Sequence, residues 1–150
     1  MIFIAHRGNL EGPSKKENHP DQIIKVLGTG INVEVDVWMI NNKFYLGHDE
    51  PQHELDHSNF LKHPFLWCHA KNIDALYYMI NLGVHCFWHQ EDDVAITSKG
   101  HIWTYPGRQL TSNSICVMPE LTKYSPEEMQ ICHAICTDYP YQYRDLMGEI

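Results

Sequence analysis

No apolar run in this sequence approaches the roughly 20 residues that a membrane-spanning helix needs; the longest, such as Met1–Ala5, stop far short. No basic segment precedes an apolar stretch, so nothing reads as a signal peptide. Positive charge is also scarce. Against 19 Asp and Glu stand 11 Lys and Arg, and the formal net charge of -8 argues against nucleic acid as a partner. Paired cysteines are missing too: the 5 present form an odd set without CxxC spacing, which excludes a disulfide framework and a cysteine-rich zinc fold. A reducing cytoplasm suits such a chain. With 150 residues the expectation is one domain over residues 1–150. What the chain has in excess is histidine, 11 residues of the type most used for proton transfer and metal ligation near neutral pH.

Short runs rich in β-branched or aromatic residues recur: Ile2–Ala5, Val33–Met39, Phe65–His69, Val84–Trp88, Ile115–Met118 and Ala134–Thr137. Between two of them, Ile73, Leu76, Tyr77 and Ile80 fall at helical spacing and predict an amphipathic helix over 72–82, stopped by Gly83. Ser125-Pro126-Glu127-Glu128 carries a capping hydroxyl, a first-turn proline and acidic residues, the signature of a helix start. A third helix is expected over 22–27. Strand-helix-strand order predicts α/β architecture with parallel strands. Asn41-Asn42 and Ser98-Lys99-Gly100 each separate two strand-like runs and predict hairpins, the second between Val94–Thr97 and Ile102–Tyr105.

Val33-Glu34-Val35-Asp36-Val37 alternates strictly, so a strand sends both carboxylates to one face and the valines to the other. Side chains two apart on a strand are about 6.5 Å from each other. Such like charges repel unless a cation lies between them, and paired hard oxygens suit Mg²⁺ or Ca²⁺.

The surrounding text is ordered: Ile4-Ala5-His6-Arg7-Gly8, then Glu17-Asn18, then Glu34-Val35-Asp36, then Leu46-Gly47-His48-Asp49, with Lys71 and Thr137-Asp138-Tyr139-Pro140 further on. This pattern resembles the glycerophosphodiester phosphodiesterase family across nearly the whole chain. The resemblance implies a TIM-type (β/α) barrel of the phosphatidylinositol phosphodiesterase superfamily with its site at the C-terminal strand ends. It implies Glu34 and Asp36 as ligands of a divalent cation, Mg²⁺ or Ca²⁺, His6 and His48 as general base and general acid, and Arg7 and Lys71 on the substrate phosphate. The implied reaction hydrolyses a small phosphodiester, and an internal hydroxyl as nucleophile would make it a cyclising lyase.

Two departures bear on these expectations. Where the family has a glutamate ligand two residues before the lysine, this chain has His69, which shifts the expected preference toward Mn²⁺ or Zn²⁺. Glu17 is the candidate for a compensating carboxylate, with Glu120 behind it. Second, a full barrel takes about 250 residues, so a compact, trimmed or distorted barrel is expected. Missing helices would expose apolar faces, which a homodimer can cover. Outside the pattern, His53-Glu54-Leu55-Asp56-His57 matches the HExxH of zinc metalloproteases, provided it is helical. A further alternative is a barrel that binds metal or phosphate with little catalysis.

Overall fold

The computed structural model describes residues 1–149. The strands are β1 (Ile2–His6), β2 (Asn32–Ile40), β3 (Lys43–Leu46), β4 (His53–Glu54), β5 (Leu66–Ala70), β6 (Cys86–Trp88), β7 (Val94–Ile96), β8 (Ile102–Thr104), β9 (Ser114–Val117) and β10 (Ala134–Thr137). The helices are α1 (Pro20–Leu27), α2 (Ile73–Asn81), α3 (Pro126–Gln130) and α4 (Pro140–Leu146), with 3₁₀ turns at Ser58–Lys62 and Pro119–Leu121.

Strands β6, β5, β2, β1, β10, β9 and β8 lie side by side, all parallel. Strand β7 adds antiparallel to β8, and β3 with β4 extends antiparallel from the second half of β2. The sheet curls until its ends meet: Ser98 just past β7 donates its N–H to the Cys86 carbonyl of β6, and its hydroxyl accepts the Cys86 N–H. The architecture is mixed α/β with few helices. A full barrel of alternating strands and helices is not what the chain forms, because the connections from β6 to β9 carry none and α3 spans only five residues.

Side-chain alternation divides the molecule into an inner and an outer layer. Val33, Val35 and Val37 point outward and pack with Ile23 and Val26 of α1 and Ala75 and Met79 of α2. Phe3, Cys116 and Ile135 face outward further round, against Met129 and Cys132. The concave side is filled by Ile4, Trp67, Phe87, Trp103, Ile115 and their neighbours, so Glu34 and Asp36 must share that interior.

Several local signals act as their chemistry dictates. Asn41 and Asn42 both adopt positive φ, 51° and 62°, the backbone of a two-residue hairpin. Ser125 and Glu128 form a capping box on α3, and Asn72 caps α2 through the Ala75 N–H. Helix α1 begins two residues earlier than its apolar pattern, at Pro20, with His19 as cap. Two expectations are corrected. The stripe chosen for α2 is largely outside: Ile73, Tyr77 and Ile80 are 65%, 61% and 55% exposed, and Ala75 and Met79 face the sheet. That helix is apolar around most of its circumference, so periodicity alone does not select the face, and small Ala75 lets it approach the sheet closely. His53 and Glu54 form β4 rather than a helix, so the HExxH imidazoles do not stack one turn apart. Helix α4, entered through Pro140, was not anticipated. No helix is long and apolar enough to cross a membrane among the described residues.

At the N-terminal end of the sheet, aromatic rings gather. Trp67 lies 4.3 Å from His85 and 5.3 Å from His101, and His101 stacks on His133 at 4.3 Å between centroids. Burial first, then Lys99 and His101, push the His85 imidazole down to about 4, and His133 is lowered by burial, His101 and the chain N-terminus. Unfolding restores an ordinary value of 6.5, so the unfolded chain takes up protons first on acidification. This contribution is complete above pH 6.5 and is lost as pH falls toward about 4. Urea melts at about pH 7.5 and about pH 5 should show the loss, and His85→Gln should shrink it by about 1–2 kcal/mol. A variant with undiminished pH dependence would remove His85 from this role.

Candidate metal centre

Parallel register brings the site together. His6 on β1 pairs with Glu34 on β2, and Asp36 pairs with His69 on β5, all on the concave side toward the C-terminal strand ends. Glu34 and Asp36 are 2% and 1% exposed. The His69 Nδ1 lies 3.1 Å from Asp36 Oδ1 and 3.9 Å from Glu34 Oε1. One ligand atom from each of Glu34, Asp36 and His69 falls within 4.8 Å of the others, a spacing that can hold a metal ion. The His69 ring is stacked on Phe87 at 5.0 Å with 7° between planes, and its Nε2 donates to the His89 carbonyl at 3.3 Å. That outer hydrogen bond turns Nδ1 toward the carboxylates, the arrangement typical of an orienting partner behind a ligating imidazole.

The turn after β1 builds the next layer. Arg7 and Gly8 adopt left-handed backbone, φ 54° and 81°, which aims the Arg7 N–H at Glu34 Oε2, 3.2 Å away. Glycine suits position 8 because of its positive φ, and a Cβ there would also press on the end of the Ile23 side chain, 2.7 Å away at Cδ1. The Arg7 guanidinium spans three groups: Glu17 Oε2 at 3.2 Å, His48 Nε2 at 3.2 Å and Asp36 Oδ2 at 3.5 Å. An arginine only donates, so His48 Nε2 accepts and its Nδ1 carries the proton, 3.4 Å from Asp36 Oδ2. Gly47 places His48: a Cβ there would lie 2.0 Å from the Glu50 carbonyl oxygen, and the Gly47 N–H is tied to the Asp36 carbonyl.

Asn18 makes two hydrogen bonds to one residue, donating from Nδ2 to Asp36 Oδ2 and accepting the Asp36 N–H at Oδ1, both at 2.9 Å. Burial opposes ionisation of Asp36, yet the contacts from His48, His69 and Asn18 hold it well below the usual carboxylate range. Glu34 moves the other way, pushed up by burial and by Asp36. Two carboxylates on one strand are thus driven apart in acidity by their surroundings.

The structure assembles Glu34, Asp36, His69, His6, Arg7, His48 and Lys71 around one cavity of about 580 Å³. Lys71 is aligned by its own N–H, which donates to the Val37 carbonyl. Glu17 is elsewhere: its oxygens accept from Arg7 and Asn9, so it braces the arginine rather than joining the ligand cluster. Glu120 likewise accepts the Thr137 hydroxyl and the Asp138 N–H. Sequence reasoning left Asp138 without a role. Its Oδ1 accepts from His6 Nδ1 at 2.8 Å and from Asn9 at 2.9 Å. Burial lowers His6, but Asp138 and Glu34 outweigh it and the imidazole is raised. The signal was present in Thr137-Asp138-Tyr139-Pro140, an acidic residue directly after a strand. No protein-family model, curated protein or solved structure matches this chain.

Asn18→Gly tests the brace on Asp36, because glycine keeps the left-handed backbone at φ 58° while removing the amide. Loss of two hydrogen bonds to a buried carboxylate should lower the unfolding free energy by about 2–3 kcal/mol in urea melts. A change below about 0.5 kcal/mol would show that Asp36 does not depend on Asn18.

Proposed function

We propose that the protein is a metal-dependent phosphodiester hydrolase that cleaves a small phosphodiester to an alcohol and a phosphomonoester. The observation that carries this reading is the buried Glu34–Asp36–His69 cluster lining a cavity that also holds Arg7, Lys71 and two further imidazoles. Glu34, Asp36 and His69 would hold the cation, which when bound supplies Lewis-acid stabilisation of charge on the phosphoryl oxygens. The donor set fits a divalent ion, since two buried carboxylates and an imidazole offer it charge and three ligand atoms. Mixed oxygen and nitrogen donors favour Mn²⁺ or Zn²⁺ over Mg²⁺ or Ca²⁺.

Arg7 and Lys71 bind the anionic diester and oppose the growing charge on its oxygens. With Nδ1–H given to Asp138, His6 presents a basic Nε2 to the cavity. It removes a proton from the attacking water as the new O–P bond forms. His48 is the general acid: with Arg7 turned to the diester and a proton on Nε2 in its place, it gives that proton to the departing alkoxide as the old P–O bond breaks. One water is consumed and two products leave. Asp138 acts through His6, as a positioning residue.

Hydrolysis of bis(p-nitrophenyl) phosphate and of glycerophosphodiesters should therefore require a divalent cation. His6→Ala and His48→Ala should each lower kcat by about 10²- to 10⁴-fold, and Glu34→Ala should abolish cation-dependent thermal stabilisation as well as turnover. Activity that survives any two of these substitutions overturns the assignment. His69→Glu should move the preference toward Mg²⁺ or Ca²⁺, and an unchanged preference would take His69 out of the ligand set.

A further inference from the structure

The cavity has two unlike walls. Strands β1, β2 and β5 with their loops contribute the charged one. The opposite wall comes from the ends of β6, β8 and β9, and it presents Trp88, Tyr105, Pro106, Val117, Met118 and Leu121 beside the polar His89 and Gln90. None of these side chains carries a formal charge. Leu121 lines the cavity yet is 69% exposed, so a large apolar surface stands open at the rim of a polar site. Met118 has left-handed backbone, φ 47° and ψ 55°, a position that glycine or asparagine would occupy without strain. The kink starts the 3₁₀ turn that carries Leu121 to the cavity, and the Met118 N–H is fixed to the Cys136 carbonyl at 2.7 Å. Tyr105 is held flat by stacking on His89, with 3.5 Å between centroids and 23° between planes. The wall is therefore preformed.

We propose that this wall binds the hydrocarbon arm of the substrate, so that the preferred diester joins phosphate to an unbranched alkyl group rather than to a second polar alcohol. The proposal rests on the phosphodiesterase reading for its phosphoryl site, and the wall itself can be tested without it. A phosphoryl group held by Arg7 and Lys71 leaves one ester arm facing the charged rim and the other facing Tyr105 and Leu121. A polar arm on that second side would find few partners beyond His89, Gln90 and the Tyr105 hydroxyl, whereas an alkyl arm gains from every methylene it buries against Val117, Met118 and Leu121.

Two measurements decide the matter. Turnover is followed with methyl, butyl and octyl esters of p-nitrophenyl phosphate. Binding of methyl-, butyl- and octylphosphonate is followed through tryptophan fluorescence, since Trp88 and Trp103 line the cavity. We expect kcat/KM and affinity to climb together, by about two- to fourfold per methylene until the wall is covered. Leu121→Asp, a change at an exposed position, should lower the octyl-to-methyl ratio at least fivefold in both series. Affinity that climbs without any turnover supports the wall and overturns the hydrolase reading. Turnover with a flat series leaves the hydrolase reading intact and overturns the wall. A chain-length slope unaffected by both Leu121→Asp and Pro106→Asp places the hydrocarbon elsewhere and also overturns it.

Discussion

Everything near the cavity answers to one electrostatic fact: two carboxylates, two residues apart on β2, are both removed from water. With carboxylate oxygens within 4.8 Å of each other and an effective dielectric near 20, their repulsion is about 3–4 kcal/mol, before the larger cost of stripping their hydration. Compensation comes from four directions. Arg7 gives its backbone N–H to Glu34 and its guanidinium to Asp36, Asn18 gives its amide to Asp36, and His48 and His69 close on the remaining Asp36 oxygen positions. Glu34 has fewer such contacts, and burial with Asp36 beside it pushes its pKa up, which expresses that shortfall. The outward valines make the arrangement hard to escape, because any slip by one residue would expose three apolar side chains and invert the strand.

Parallel strand order explains how a chain with few helices builds such a site. Every parallel strand delivers its C-terminal end to the same rim, so short excursions there suffice to bring His6, Asp36, His69 and Asp138 together over 132 residues of sequence separation. Packed helices cover the outer face in two places, α1 and α2 over the valines and α3 and α4 over Phe3, Cys116 and Ile135. Elsewhere hairpins and 3₁₀ turns do the work. Outward side chains there stay partly open, and Ile96 is 74% exposed.

Residues whose role is set by local alternation or by a turn were legible. Val33–Val37 announced its two faces, Asn41-Asn42 its hairpin, and Ser125-Pro126 its helix start. The ordered histidines and acids marked the cavity, and the structure brings His6, His48, Arg7, Lys71, Glu34, Asp36 and His69 to it. What remained hidden depends on partners distant in sequence. Glu17 looked like a spare ligand because its distance to Arg7 and Asn9 cannot be read from spacing. The face of α2 depended on the sheet against which Ala75 fits. HExxH failed because pairing of β4 with β3, between Leu46 and His53 and between Tyr45 and Glu54, takes precedence over a short segment's marginal helix tendency.

The same charge count sets how an anion can enter. Glu17, Glu34, Asp36 and Asp138 bring four carboxylates to the site, and Arg7 and Lys71 supply the two fixed cations. With neutral imidazoles the centre has an excess of two negative charges, on a protein already at -8. On the proposed reading, an anionic diester approaching that centre would be repelled, and Arg7 alone would not reverse the sign because Glu17 and Asp36 already claim its guanidinium. A divalent ion between Glu34, Asp36 and His69 would bring the local balance to neutrality and leave Lys71 unopposed. On the hydrolase reading, cation and diester would therefore be coupled through a shared electrostatic deficit. That coupling would be reciprocal: whatever the ion contributed to holding the diester, the diester would contribute equally to holding the ion.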